Sequence, residues 1–242
     1  MHTDISLPIG KRNKTWNRLR ELRHNSMGSN KYMDIVKHYE QCLVQHGPTH
    51  EGMDWPNEHD LATRFDVMLD IVRLQGKRPP KLLDIGCGAG LLVDRLKERD
   101  LFDPVLYRGI DLSMKMVEAA KQRHPTACFE VRDILQRPLS ARSADYIVMN
   151  GVLTEKRSLP QTVMEAYACR MIKAAFDASS EGIAFNVMSS HVDWRRRDLF
   201  HWPLDRAVKF LVNECSRHIV IRMDYGLHEY TVYVYRKANE YD

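Results

Sequence analysis

Leu82-Leu83-Asp84-Ile85-Gly86-Cys87-Gly88-Ala89-Gly90 is the stretch on which the reading of this chain turns. A short apolar strand runs into three closely spaced glycines, and a helical pattern begins near Leu91. Glycine has no Cβ, so the backbone can turn sharply there and lie against a ligand. The helix that follows presents unpaired amide hydrogens at its first turn. A strand, a glycine turn and a helix in that order place a nucleotide-like ligand at the carboxyl end of the strand.

Outward from this unit the texture alternates. Short apolar runs at Leu82–Ile85, Leu106–Ile110, Cys128–Val131, Tyr146–Met149 and Ile183–Met188 read as buried strands. Helical stretches separate them, at about Leu91–Arg99, Ser113–Arg123, Pro160–Ala178 and Pro203–Glu214. Ser113 suits an N-cap, and Pro160 and Pro203 suit first-turn positions. Such alternation predicts a mainly parallel, doubly wound sheet with helices on both faces. At the end, His218–Met223 and Tyr230–Tyr235 are joined by a link too short for a crossover helix, so they are expected to form an antiparallel hairpin. Upstream, helical periodicity runs to about residue 75. There Asn57 can cap a helix whose apolar face is Leu61, Phe65, Met68, Leu69 and Val72. Gly76 and Pro79-Pro80 close that region.

Two details of the glycine turn bear on its ligand. The dinucleotide fingerprint is GxGxxG, whereas this turn is GxGxG, with Leu91 where the third glycine would fall. Asp84 would repel a pyrophosphate but accept hydrogen bonds from an amino group, which favours S-adenosylmethionine. From about Tyr39 to Arg236 the sequence resembles the class I S-adenosylmethionine-dependent methyltransferase family. Asp84 to Gly90 resembles its first motif, and Tyr107 to Ser113 its second strand. Arg132-Asp133-Ile134 resembles its third strand end, and Ala144 to Val152 its fourth strand. The resemblance implies a seven-stranded sheet in the order 3-2-1-4-5-7-6 with strand seven antiparallel, carrying a helical cap. It also implies a cofactor site of Asp84, Gly86, Cys87 and Gly88 at the turn, with Asp111 and Leu112 at the ribose. Asp133 and Ile134 would then lie at the adenine, and Asn150 and Gly151 beside the methyl. Met116 either stacks over the ribose or adenine or is plain core, and Asp111 could alternatively cap the next helix. In the cap, the resemblance points to Tyr39 or Arg64 as the partner of the cofactor's carboxylate, a guanidinium being able to hold a carboxylate by two parallel bonds. The alternative for Arg64 is an ordinary surface arginine.

Composition narrows the classes that remain. Apolar residues make up 44% and charged residues 28%, ordinary for a globular domain. No apolar run exceeds four residues, so no membrane span is expected, and the N-terminus lacks the apolar core of a secretion signal. Cys42, Cys87, Cys128, Cys169 and Cys215 are scattered, with no CxxC pair. They suggest a reducing, cytoplasmic setting with neither disulfides nor a metal site. The net charge of +4 is uneven: Lys11, Arg12, Lys14, Arg18, Arg20 and Arg23 against Glu21 give residues 11–23 a net of +5, so the rest sums to −1. The expected organisation is a basic, disordered or frayed arm over 1–30 and a methyltransferase domain over 31–242. Within the domain, 31–75 form the cap and 76–242 the core.

Residues 189–203, rich in aromatic and cationic side chains, form the least regular part of the core and are read as an insertion closing over the acceptor. Trp55, Trp194, Phe200 and Trp202 are the candidates for packing a planar acceptor, and the alternative for 189–203 is a surface loop held down by its tryptophans. His191 and His228, with Tyr39 or His46 in the cap, are candidate bases, needed only where the attacking atom must lose a proton. The leading expectation is methyl transfer to an oxygen or nitrogen of a small metabolite. The alternative is an RNA base or ribose methyltransferase using 11–23 and Arg195–Arg197 on phosphates, and a third is a cofactor-binding partner subunit without catalysis. Dimerisation is not legible in the sequence.

Overall fold

The computed structural model describes residues 32–74 and 78–238; the basic arm expected at 1–30 lies outside the described residues. Eight strands make one sheet: β1 (Lys81–Ile85), β2 (Leu106–Asp111), β3 (Cys128–Val131), β4 (Ala144–Met149), β5 (Ser179–Ser189), β6 (His201–Trp202), β7 (His218–Arg222) and β8 (Glu229–Tyr235). Their order is β3-β2-β1-β4-β5-β8-β7, with β6 paired to the end of β5. Setting aside the two-residue β6, this is the expected order, and the hairpin β7–β8 runs antiparallel against β5.

Period-two alternation divides the side chains between two apolar layers. On one face Leu83, Ile85, Ile147, Met149, Phe185 and Val234 pack under helices α5 (Gln161–Ala178) and α6 (Leu204–Glu214). On the other, Leu82, Tyr107, Tyr146, Val148, Ala184 and Tyr233 pack under α2 (Glu58–Leu69), α3 (Leu91–Glu98) and α4 (Met114–Arg123). The expected caps form: Asn57 Oδ1 accepts from Asp60 N at 3.1 Å and Ser113 Oγ from Met116 N at 3.3 Å.

The cap begins with α1 (Met33–His46), followed by a 3-10 turn at Glu51–Met53. No residue of α1 is fully buried; Ile35, Tyr39 and Leu43 pack half-buried against the core, and polar contacts add to the docking. Ser113 Oγ donates to Glu40 Oε1 at 2.7 Å, and Lys115 Nζ lies 3.0 Å from Glu40. Ahead of the helix, the Tyr32 hydroxyl donates to Asp133 Oδ2 at 2.6 Å. These bonds lay the cap across the carboxyl ends of β1 to β4.

The segment 189–203 departs from expectation. Only its first part is irregular; His201-Trp202 forms β6, and Phe200 and Trp202 are fully buried. Trp202 Nε1 donates to Glu165 Oε1 at 3.1 Å, and the Tyr230 hydroxyl donates to the Trp202 carbonyl at 3.0 Å. Both aromatic rings belong to the core beneath α5 and α6, and neither offers a face to an acceptor. The reason is lateral: β5 extends to Ser189, and its end leaves backbone groups that β6 pairs.

Candidate active site

Two adjoining cavities lie at the carboxyl ends of the strands. The inner one is floored by the glycine turn. Gly86 N and Cys87 N both donate to the Ile110 carbonyl, at 2.8 and 3.1 Å, which fixes the turn against β2. Gly88 has φ +52°, and a Cβ there would stand 2.6 Å from Met53 Sδ. The requirement for glycine is therefore both conformational and steric. Met53 reaches in from the cap, and its sulfur accepts from Ala89 N at 3.4 Å.

Acidic side chains ring this inner cavity. Asp84, 3% exposed, accepts from the Tyr107 hydroxyl at 3.0 Å. Its carboxyl is pushed up to about 7, first by burial and further by the charge of Asp111, with the Tyr107 bond opposing. Asp111 accepts from Gly88 N at 3.0 Å through one oxygen and from Ser113 N at 2.8 Å through the other. Burial raises its carboxyl too, against the pull of those amides. Asp133 accepts from Leu135 N at 2.8 Å besides Tyr32. Ile134 and Met116 are buried, and with Leu112 they supply apolar walls. Asn150 also lines the cavity, and its Oδ1 is buried with no hydrogen-bond partner. Burial pushes the Cys87 thiol well up, so it lines the cavity as a neutral group.

The outer cavity, about 440 Å³, lies beyond Tyr39 and Trp55, which line both. Asp54, Thr154, Glu155, Trp194, Arg196 and His228 form much of its wall. Gly151, on the inner side, lies under Trp55: its φ is +76°, and a Cβ there would stand 2.7 Å from Trp55 Cζ2. Arg64 is here as well, not at the glycine turn. Its Nε donates to Glu229 Oε2 at 3.0 Å and its guanidinium lies 4.3 Å from the Trp55 ring centre. The expectation that Arg64 meets the cofactor's carboxylate is corrected accordingly, because the fully buried Glu229 carboxylate claims it.

Of the remaining expected residues, Trp194 and His228 meet edge to face at 5.2 Å on the outer wall. His191 is exposed and lines neither cavity, so it is not brought to the site. Met53, Asn186, Glu155 and Glu229 were not singled out from the sequence. Asn186 carries a usable signal, a polar residue inside an otherwise apolar strand; Glu229, at the first position of β8, Glu155 and Met53 carry none. Asn186 Oδ1 accepts from Gly151 N at 2.8 Å while its Nδ2 donates to Glu229 Oε1 at 2.9 Å. One further group could hold a cation: the ligand atoms of His38, Cys42 and Asp54 lie within 4.8 Å of one another. His38 Nε2 and Asp54 Oδ2, at 2.7 Å, already satisfy each other as a pair.

Residues 82–174 match the family model of a methyltransferase domain. Together with the sheet order, that match gives these residues a methyltransferase domain on the fold of enzymes that use S-adenosylmethionine. Among solved structures, a S-adenosylmethionine-dependent methyltransferase of Leishmania major aligns at 14% identity over 90% of this chain and 91% of its own, with a TM-score of 0.62. One from Aquifex aeolicus aligns at 16% identity over 74% and 93%, with a TM-score of 0.52. Magnesium protoporphyrin IX methyltransferase of Synechocystis PCC 6803, with bound SAH, aligns at 14% over 93% and 95%, with a TM-score of 0.50. At such identities the likeness is one of fold. No curated protein matches the sequence.

The inner cavity suits S-adenosylmethionine chemically. A buried carboxylate and the unpartnered Asn150 oxygen want N–H donors, which an ammonium provides. A further carboxylate at the end of β2 can accept from a diol, and apolar side chains at the end of β3 can flank a purine. Among the described residues no helix is long and apolar enough to cross a membrane.

Proposed function

We propose that this enzyme methylates a small molecule held in the outer cavity. The observation that carries this reading is the sharing of Tyr39 and Trp55 between the two cavities. A compact acceptor seated against those rings reaches the inner space without a polymer having to enter it. In this reading Asp84 and Asn150 take the ammonium of the cofactor, Asp111 its ribose hydroxyls, and Asp133, Ile134, Leu112 and Met116 surround the adenine. When bound, the sulfonium supplies an activated methyl with a neutral leaving group. The protein's own work is then to align the acceptor and exclude water. Gly86 and Gly88 give the backbone its close approach, and Gly151 leaves room for Trp55.

The RNA alternative draws less support. Of the three arginines at 195–197, two are occupied locally: Arg195 donates to the Ser190 carbonyl at 2.8 Å, and Arg196 is bound to Asp198. The test is to incubate the full chain with radiolabelled S-adenosylmethionine and an extract of the source organism. Label in a small, acid-soluble compound is expected, with activity falling less than about threefold between 50 and 200 mM salt. Label in RNA, with a loss of several powers of ten over that range, would establish the alternative.

A further inference from the structure

The charges around the outer cavity are unevenly compensated. Its wall carries Glu51, Asp54, Asp60 and Glu155 against Arg64 and Arg196. Both arginines are neutralised by acids that do not line the cavity, Arg64 by Glu229 and Arg196 by Asp198. The carboxylates are matched more weakly: Asp54 meets His38 at 2.7 Å and Glu51 meets His46 at 3.5 Å, partners that are cations only when protonated. Glu155, only 6% exposed, has its nearest cation at 3.4 Å, Arg157 Nη1, which also lies 3.6 Å from Asp198. Tyr39 stands among these acids, and the charges of Glu155 and Asp54 add to burial in raising its hydroxyl. Burial raises the Glu155 carboxyl as well, with Asp54 and Asp198 adding to it. An anionic acceptor would meet an excess of carboxylates over permanent cations here, whereas a cation would relieve it. Trp55 and the partly exposed Trp194 supply the aromatic surface on which organic cations settle.

We infer that the methyl acceptor is an amine that binds as its ammonium ion, with its nitrogen at Glu155 and its apolar part against Trp55 and Trp194. The inference rests on the proposed small-molecule reading and narrows it. Before reaction the ammonium passes one proton to the Glu155 carboxylate, which frees the nitrogen lone pair. The C–N bond then forms as the C–S bond breaks, the bonding electrons staying on sulfur as a neutral thioether. Glu155 afterwards releases its proton to water, so atoms and charge balance.

The labelled product of the extract experiment tests this directly. A methylated amine is retained on a cation exchanger at pH 7 and survives mild base. A labelled small molecule that flows through, or that loses its label in mild base as an ester would, overturns the amine and leaves the small-molecule reading standing. Label in RNA overturns both. A second arm reads binding alone, by calorimetry on the full chain saturated with S-adenosylhomocysteine, using 2-phenylethylamine and 2-phenylethanol as probes. The amine is expected to bind at least about tenfold more tightly, and Glu155→Gln to remove that preference while leaving S-adenosylhomocysteine affinity within about twofold. Equal affinity for the two probes, or no binding of the amine, would overturn the inference.

Discussion

The inner and outer cavities touch, yet they are built by different rules. The inner one is assembled from consecutive strand ends, and backbone amides hold two of its three acids: Gly88 and Ser113 hold Asp111, and Leu135 holds Asp133, while the Tyr107 hydroxyl holds Asp84. The outer one draws single side chains from separated segments, Tyr39 and Asp54 from the cap, Glu155 after β4, Trp194 after β5 and His228 in the hairpin turn. A site held by backbone tolerates few changes, because moving one group moves a turn. A site held by side chains can be altered residue by residue, with the scaffold left in place. The difference suits a fixed cofactor beside a variable acceptor.

The seam between them should produce the largest effect. Glu229 has a fully buried side chain and spends both oxygens, one on Arg64 of α2 and one on Asn186 of β5, which in turn holds Gly151. Arg64→Met leaves that carboxylate buried without its cation and should cost about 3–5 kcal/mol of stability in denaturant unfolding. Adding Glu229→Gln should restore much of the loss, since the amide keeps a hydrogen-bond acceptor for Asn186. A double variant no more stable than the single one would show that the pair does not join the cap to the sheet.

Next in size is the inner cavity itself. Asp111→Ala should weaken S-adenosylmethionine by roughly 1.5–3 kcal/mol, about ten- to a hundredfold, through loss of charge-assisted bonds. Calorimetry on the purified variant measures it, and unchanged affinity would remove Asp111 from the proposed site.

How much of each region was legible follows from the same contrast. The strands, the closing hairpin, the caps at Asn57 and Ser113 and the turn after Asp84 are readable because local rules generate them: alternation, capping and a turn that only glycine can make. The strand order and the ring of Asp84, Asp111 and Asp133 are legible only through the resemblance to the methyltransferase family. Arg64 was misread because a helix pattern shows that a residue faces inward but not which buried carboxylate will claim it, and its partner is 165 positions away. Phe200 and Trp202 were misread because aromatic density resembles a binding loop, while the pairing that buries them depends on how far β5 extends. Glu155 was invisible, since its placement comes from pairing between Thr154-Glu155 and Leu199-Phe200, not from any motif.

Asp84 provides a graded test of the inner cavity. Its carboxyl, normally near 3.8, sits at about 7 in the folded chain without ligand. A group raised on folding contributes stability that is present below its unfolded value and is lost as pH rises through the folded one. The unliganded protein should therefore lose stability between about pH 4 and 7 through this group. Binding of an ammonium requires the ionised form, so S-adenosylmethionine affinity should fall as pH drops from 8 to 6, approaching tenfold per unit below 7. Asp84→Asn should weaken binding at pH 8 and flatten both dependences. A wild-type affinity independent of pH over that range would mean that Asp84 does not face the ammonium.

The smallest effect belongs to Trp194. The residue is 39% exposed, and its ring meets those of His228 and His201 edge to face, at 5.2 and 6.0 Å between ring centres. Removing it opens no cavity in the core, so the thermal midpoint of Trp194→Ala should stay within a degree or two. No group of the inner cavity rests on it either, and cofactor affinity should be unchanged. What it would lose is one aromatic face toward the acceptor, worth about 0.5–1 kcal/mol at a partly exposed site. That converts to a roughly two- to fivefold rise in the acceptor's KM with kcat held, since a wall contact made equally in the ground and transition states changes binding alone. Measured at saturating cofactor, a fall in kcat without a change in KM would move Trp194 from the acceptor's wall to the machinery that orients the methyl. The division between a fixed inner cavity and an adjustable outer one would then no longer hold at that residue.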